Sequence, residues 1–187
     1  MKTLDTPADF CEKHNACAEG MAFAAQFSTL AAAWDACHRA DWMLWAMQRA
    51  NKTRGLDRPL RIFACDCAEA AKPADPRSLA AIAVARRYAD GLATVEELRA
   101  AYVSAFAAYA AARASARAAA CAAHVAPTPA APYVRAAARA YARSASDAAY
   151  TAARASAYAT STTSAAATRR AQAKRLRALI HNPFATA

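Results

Sequence analysis

Apolar residues recur every three or four positions along most of this chain, which predicts an all-α protein. The pattern is clearest between about Arg58 and Ala71, where the charged side chains Arg61, Asp66 and Glu69 lie off the apolar stripe. Pro73 ends this helix, because proline cannot continue an α-helix. Its apolar stripe consists of Leu60, Phe63, Ala64, Cys67, Ala68 and Ala71.

Two or more helices are predicted before residue 40. Asp5 or Thr6 can cap the first helix, with Pro7 at its first position. Gly20 lies inside this pattern and marks a place where it can break into two short helices. Ser28 is the expected cap of the next helix. The first stripe contains Phe10, His14, Cys17, Ala18, Met21 and Ala25, and the next contains Leu30, Ala33, Trp34 and Cys37.

Asp41 is the expected cap of a helix that starts with the apolar segment 42–47. This segment is apolar almost all round, so we expect the most buried element of the protein here. Trp42 and Trp45 are therefore expected in the core, the alternative being that they anchor an interface. The polar residues 51–58, which include Gly55, are expected to form a loop.

Local start and stop signals delimit the next two helices. Asp75 followed by Pro76 predicts a helix start, and Gly91 predicts its C-terminal end. Thr94 and Glu97 form a capping box that opens a long helix reaching about His124. The expected apolar residues are Leu79, Ile82, Ala83, Val84 and Tyr88 in the former helix, and Val95, Leu98, Tyr102, Phe106 and Tyr109 in the latter.

A second long helix is predicted from about Tyr133 to Ile180, with an interruption near 160–163. Its residues 148–157 resemble residues 107–116, and the proline-rich connection at 127–132 is short. The two helices are therefore expected to form an Ala-rich antiparallel hairpin. We divide the chain into a compact helical region, residues 1–93, with a Trp-rich core, and the hairpin, residues 94–187, packed on it as one domain.

Composition narrows the function classes. About a third of the 187 residues are Ala, and only 3 are Gly, which excludes glycine-rich phosphate loops. No stretch is apolar enough to predict a membrane span, and the charged residues within 1–12 do not suggest a secretory signal. We therefore expect a cytoplasmic protein whose 6 cysteines remain reduced.

The net charge of +10 is concentrated in the second half of the chain. Arginines at helical spacing, interleaved with tyrosines, are typical of a surface that follows nucleic-acid phosphates. They are also typical of a surface that contacts an acidic protein, or of a solvated face in an arginine-rich sequence. The arginines concerned are Arg113, Arg117, Arg135, Arg139, Arg143 and Arg154. The denser cluster Arg169, Arg170, Lys174, Arg175 and Arg177 is explained by the preference of cations for a helix C-terminus.

No catalytic constellation is recognisable, so we do not expect an enzyme. None of the 4 histidines adjoins a Ser or Cys nucleophile pattern. Cys11, His14 and Cys17 could provide three zinc ligands, but an apolar stripe flanked by Cys11 explains them better. We therefore predict neither a metal nor any other cofactor.

A charged set on two adjacent helices is the main candidate site in the first half. It either forms a polar recognition patch or consists of solvated faces with weak ion pairs. Its members are Arg61, Asp66, Glu69, Arg77, Arg86 and Arg87. For the predicted partner-binding surface we combine this set, without Arg87, with the six arginines of the hairpin named above.

Four segments carry a resemblance to a known family. They are DWMLW at 41–45, LRIFACDCAEA at 60–70, DPRSLAAIAVARRYADGLATVEEL at 75–98 and LRALIHNPF at 176–184. Together they resemble a family of immunity proteins linked to bacterial polymorphic toxin systems, with relatives in phage genomes. The resemblance implies a non-enzymatic protein that neutralises a toxin or a defence protein by binding it.

The expected partner is accordingly a protein with an acidic surface. Nucleic acid is the alternative partner, bound through the arginine rows. Because alanine faces bury little apolar area, self-association of the long helices is a further alternative.

Overall fold

The computed structural model describes residues 6–70, 75–105, 107 and 162–185, and these residues form an all-α fold without strands. The eight helices of the described residues are α1 (Pro7–Lys13), α2 (Ala18–Ala24), α3 (Leu30–Ala36), α4 (Ala40–Arg49), α5 (Asp57–Ala70), α6 (Pro76–Ala89), α7 (95–105) and α8 (Thr162–Leu179). The predicted hairpin turn, the internal repeat and the interruption near 160–163 lie largely outside this part of the chain.

The main core forms where α3, α4, α5 and α8 meet. Phe63 of α5 and Leu44 of α4 are fully buried there, together with Trp34 of α3. Helix α8 contributes Ala173 and Leu176, and Ile180, which directly follows the helix, lies on the same side at a spacing of four residues from Leu176. A helix from the end of the chain thus completes the core of the first half.

Two smaller clusters extend this core. In the first, Ile82 of α6 and Leu98 of α7 pack against Cys65 on the side of α5 that faces α6. In the second, Phe10 and Cys11 of α1 pack with Ala24 of α2 beneath the partly buried Trp45. The described helices therefore surround α4 and α5 on several sides.

Several helix boundaries follow the predicted signals. Thr6 caps α1 in a reciprocal capping box with Asp9, and the Asp75 carboxylate accepts a hydrogen bond from the backbone of Arg77. Gly91 has φ +73°, and the hydrogen bond from Leu92 N to Arg87 O, 2.7 Å, completes a Schellman motif. The Thr94–Glu97 box also forms, with a distance of 2.7 Å from Thr94 N to Glu97 Oε2.

Other predicted boundaries are wrong. The first helical pattern breaks at residues 14–17, where Asn15 adopts φ 54°, and Gly20 lies inside α2. Asparagine tolerates this left-handed conformation better than most residues, so the pattern divides into two short helices at this turn and not at Gly20. Thr29, rather than Ser28, caps α3, and its side chain accepts a hydrogen bond from Ala32 N.

The start of α4 also differs from the prediction. Arg39 is the N-cap, and Asp41 lies within the first turn, where the Arg39 guanidinium binds its carboxylate. Met43, Leu44 and Met47 are buried as expected, whereas Trp42 and Trp45 are only half-buried. Helix α4 is therefore not uniformly buried: its two tryptophans keep part of their surface exposed, whereas Met43, Leu44 and Met47 lie in the core.

The buried face of α6 is rotated from the predicted one. Ser78, Ala81, Ile82 and Ala85 are buried, whereas Leu79 has 49% of its surface exposed. In α7, Leu98 is buried, whereas Val95 has 39% of its surface exposed. Small residues can approach a neighbouring helix more closely than leucine, so packing against α5 favours the alanine face.

Candidate functional site

Three of the predicted partner-binding residues are brought together on the surface between α5 and α6. Arg86 of α6 donates hydrogen bonds to Glu69, at 2.6 and 3.0 Å, and to Asp66 Oδ1, at 2.7 Å. Hydrogen bonds to Glu69 and Asp66 raise the pKa of the Arg86 guanidinium. The arginine is therefore held as a fixed cation between two carboxylates.

Arg175 of α8 completes this cluster from a distant part of the chain. Its Nε donates to Asp66 Oδ2 at 2.6 Å, on the opposite carboxylate oxygen from Arg86. We call Asp66, Glu69, Arg86 and Arg175 the charge network. About half of the Glu69 and Arg175 side-chain surfaces remain exposed, so both can also contact a partner.

Of the remaining predicted residues, the structure describes Arg61 and Arg77, and these two have different surroundings. The Arg61 guanidinium stacks over the Tyr88 ring at 5.0 Å, which is within cation–π range, and so lies on the same pair of helices. Arg77 instead binds Asp75, the cap of its own helix, and this hydrogen bond lowers the pKa of Asp75. The structure thus assigns Arg77 a local role. Arg113, Arg117, Arg135, Arg139, Arg143 and Arg154 lie outside the described residues.

Sequence reasoning did not find the role of Arg175. It belongs to the basic cluster that was explained by its position near a helix C-terminus. Its partner Asp66 lies 109 positions away in the chain, so no local pattern connects them. The one available signal was that Arg175 belongs to a dense group of cations late in the sequence.

A cavity of about 520 Å³ is a second candidate site, and sequence analysis did not predict it. It lies between α1, α2, α3, α4 and the end of the chain, and its volume falls in the range typical of small-molecule sites. We call it the aromatic cavity. Its aromatic lining consists of Phe10, Phe23, Trp34, Trp42, Trp45 and Phe184.

Arg39 organises the polar side of the aromatic cavity. Its guanidinium binds Asp41 at 2.7 Å and Glu19 at 3.3 Å, and lies 4.2 Å from the centre of a Trp42 ring. The hydrogen bond to Asp41 raises the pKa of Arg39. These lining charges are therefore already paired with one another.

Trp34 and Arg169 also line the cavity. The indole Nε1–H of Trp34 is itself buried and out of reach of a molecule in the cavity, and it has no hydrogen-bond partner among the described residues. Leaving such a donor unpaired costs about 1–3 kcal/mol. Arg169 of α8 has no ion pair within the described ranges.

The three residues considered as zinc ligands do not form a compact set. Cys11 is buried and Cys17 is exposed, the reverse of what the helical stripe predicted. His14 is the C-cap of α1, and its ring packs against Phe10 at a tilt of 55° with ring centroids 4.6 Å apart. Within the described parts of the chain, no group of three or more His, Cys, Asp or Glu side chains could hold a metal ion.

The described cysteines are free thiols. Burial raises the pKa of the Cys65 thiol to about 12 and also raises the pKa of Cys67 and Cys37. Such groups are protonated at neutral pH and behave as small apolar residues, because the thiolate is the reactive form.

Comparisons with known proteins give no indication of function, so the charge network and the aromatic cavity are the evidence on function. No family model, no curated protein and no solved structure matches this chain. Of the helices in the described residues, none has both the length and the apolarity needed to cross a membrane.

Proposed function

We propose that this protein is a non-enzymatic binding protein that neutralises a toxin or a defence protein by direct contact, as an immunity or phage counter-defence protein does. It acts in the cytoplasm, and its partner presents an acidic surface with a few complementary cations. The charge network is the observation that carries this proposal.

The charge network suits a protein partner because its geometry is set before binding. Asp66 holds Arg86 and Arg175 on its two carboxylate oxygens, and three helices fix the positions of these side chains. A preorganised surface loses less conformational entropy on binding than a flexible one. The exposed edges of Glu69 and Arg175 then offer one acceptor and one donor group to the partner.

The carboxylates of the charge network distinguish a protein partner from nucleic acid. Asp66 and Glu69 lie at the centre of the cluster, where they would repel a phosphate backbone. A protein surface can instead present charges of both signs in matching positions. Nucleic acid remains the alternative partner through the arginine rows and through the exposed Arg170 and Lys174 of α8.

Affinity capture with a Glu69→Lys variant tests the proposal. The tagged protein is incubated with nuclease-treated lysate of the cells that encode it, and Glu12→Lys on the exposed side of α1 serves as the control with the same change in net charge. We expect the wild type and the control to retain one protein that Glu69→Lys binds at least about tenfold more weakly. Circular dichroism verifies that both variants are folded.

The captured protein is then expressed alone and together with the binding protein. We expect it to arrest growth or to act as a defence factor, and we expect co-expression to relieve that effect. A captured protein whose activity is unaffected would contradict the neutralising role. Nucleic acid in the untreated eluate, bound more tightly by Glu69→Lys, would instead support the alternative.

A further inference from the structure

We propose that the aromatic cavity binds a small aromatic carboxylate, a function independent of the charge network and of the proposed protein partner. The volume of about 520 Å³ accommodates a bicyclic aromatic molecule. Because the walls come from α1 to α4, from Arg169 of α8 and from the segment after α8, the ligand would contact parts of the chain that are far apart in sequence.

The walls of the cavity favour a flat aromatic ligand. All three tryptophans of the chain line it, together with Phe10, Phe23 and Phe184. Phe23 and Trp42 have ring centroids 5.7 Å apart at an angle of 49°, and Phe10 and Trp45 meet nearly edge-on at 6.0 Å. Aromatic side chains in such tilted arrangements present ring faces and edges on which a further ring can pack.

A lining cation without an ion pair among the described residues determines the polar part of the ligand. Glu19 and Asp41 are already bound by Arg39, so neither is available to a ligand without breaking an ion pair. The Arg169 guanidinium lines the cavity and has no ion pair in the described part of the chain. A ligand that fits it must bring acceptors, and a carboxylate provides two with a charge opposite to that of Arg169.

The three tryptophans make the binding measurable at the site itself. The indole N–H groups of Trp34, Trp42 and Trp45 give three separate signals in a proton–nitrogen correlation spectrum. The probe is 2-naphthoate, and its neutral isostere 2-naphthamide is the comparison ligand. We expect 2-naphthoate to move the indole signals of these lining tryptophans, and we expect the amide to bind at least about tenfold more weakly.

Arginine substitutions test the electrostatic part of the inference. Arg169→Ala removes a lining cation that, unlike Arg39, has no ion pair among the described residues, and Arg170→Ala removes its exposed neighbour on the same helix. We expect Arg169→Ala to weaken 2-naphthoate binding about tenfold and to leave 2-naphthamide unchanged, whereas Arg170→Ala changes neither. Equal binding of the two ligands, insensitive to Arg169→Ala, would overturn the inference, as would unmoved indole signals with both ligands.

Discussion

The guanidinium of Arg177 donates a hydrogen bond to the carbonyl oxygen of Cys37 at 2.6 Å across 140 positions of the chain. The same Nη1 also reaches the Trp34 carbonyl oxygen at 3.3 Å. Helix α3 ends at these residues, where carbonyl groups lose their regular helical partners, and the Trp34 carbonyl oxygen also accepts the Cys37 N–H at 3.2 Å. A side chain of α8 therefore satisfies the C-terminal end of α3, and nearby Asn182 donates to Ala31 O at 3.0 Å.

Replacing Arg177 by alanine should loosen the attachment of α8. Because the variant leaves partly buried carbonyl groups without their charged donor, we expect a loss of about 1–3 kcal/mol in the free energy of unfolding. Urea denaturation followed by circular dichroism measures the change. Lys174→Ala, on the exposed side of the same helix, should change stability by less than about 0.5 kcal/mol. Equal effects of the two variants would contradict the capping role.

The buried face of α6 can be tested by a pair of alanine substitutions. Ile82 has 1% of its surface exposed and Leu79 has 49%, although their types differ little in hydrophobicity. We expect Ile82→Ala to cost about 2–5 kcal/mol, because it leaves a cavity beside α5, and Leu79→Ala to cost less than about 1 kcal/mol. Thermal and urea unfolding of both variants give the comparison. A larger effect at Leu79 would show that the face predicted from the sequence, and not the face with Ile82 and Ala85, is the more deeply buried one.

Two glycine substitutions should change stability in opposite directions. Gly91 has φ +73° at the end of α6, so Gly91→Ala forces a side chain into a strained conformation and should cost about 1 kcal/mol. Gly20 lies within α2, where a Cβ atom would be 3.4 Å from Cys17 Sγ, an ordinary contact. Gly20→Ala should therefore stabilise the protein by about 0.5–1 kcal/mol through helix propensity. Melting temperatures that shift in the same direction would be inconsistent with these two conformations.

Stability should decline in alkaline solution because of the buried thiols. Burial raises the pKa of Cys65 from 9.0 to about 12, so the unfolded chain releases this proton at a lower pH than the folded one. The stabilising contribution is complete below pH 9 and is lost as the pH rises towards 12, with a slope of about 1.4 kcal/mol per pH unit for each such thiol. Urea midpoints between pH 8 and 11 measure this slope. Cys65→Ala should reduce the slope, whatever it does to stability at neutral pH.

Sequence alone determined the features of this protein that depend on neighbouring residues. The caps at Thr6 and Asp75, the end of α6 at Gly91 and the box at Thr94–Glu97 each require groups only two to five positions apart. The stripe of α5 was also predictable, because Leu60, Phe63 and Cys67 contrast strongly with the charged residues between them.

Only the tertiary structure decided which alanine-rich faces are buried and which distant side chains meet. Alanine has little hydrophobic contrast with its neighbours, so periodicity could not distinguish the buried face of α6 from its exposed one. The charge network, the Arg177 cap and the aromatic cavity each join residues from opposite ends of the chain. Their positions follow from the docking of α8 on α4 and α5, which buries Leu176 and Ile180, and no local pattern specifies that packing.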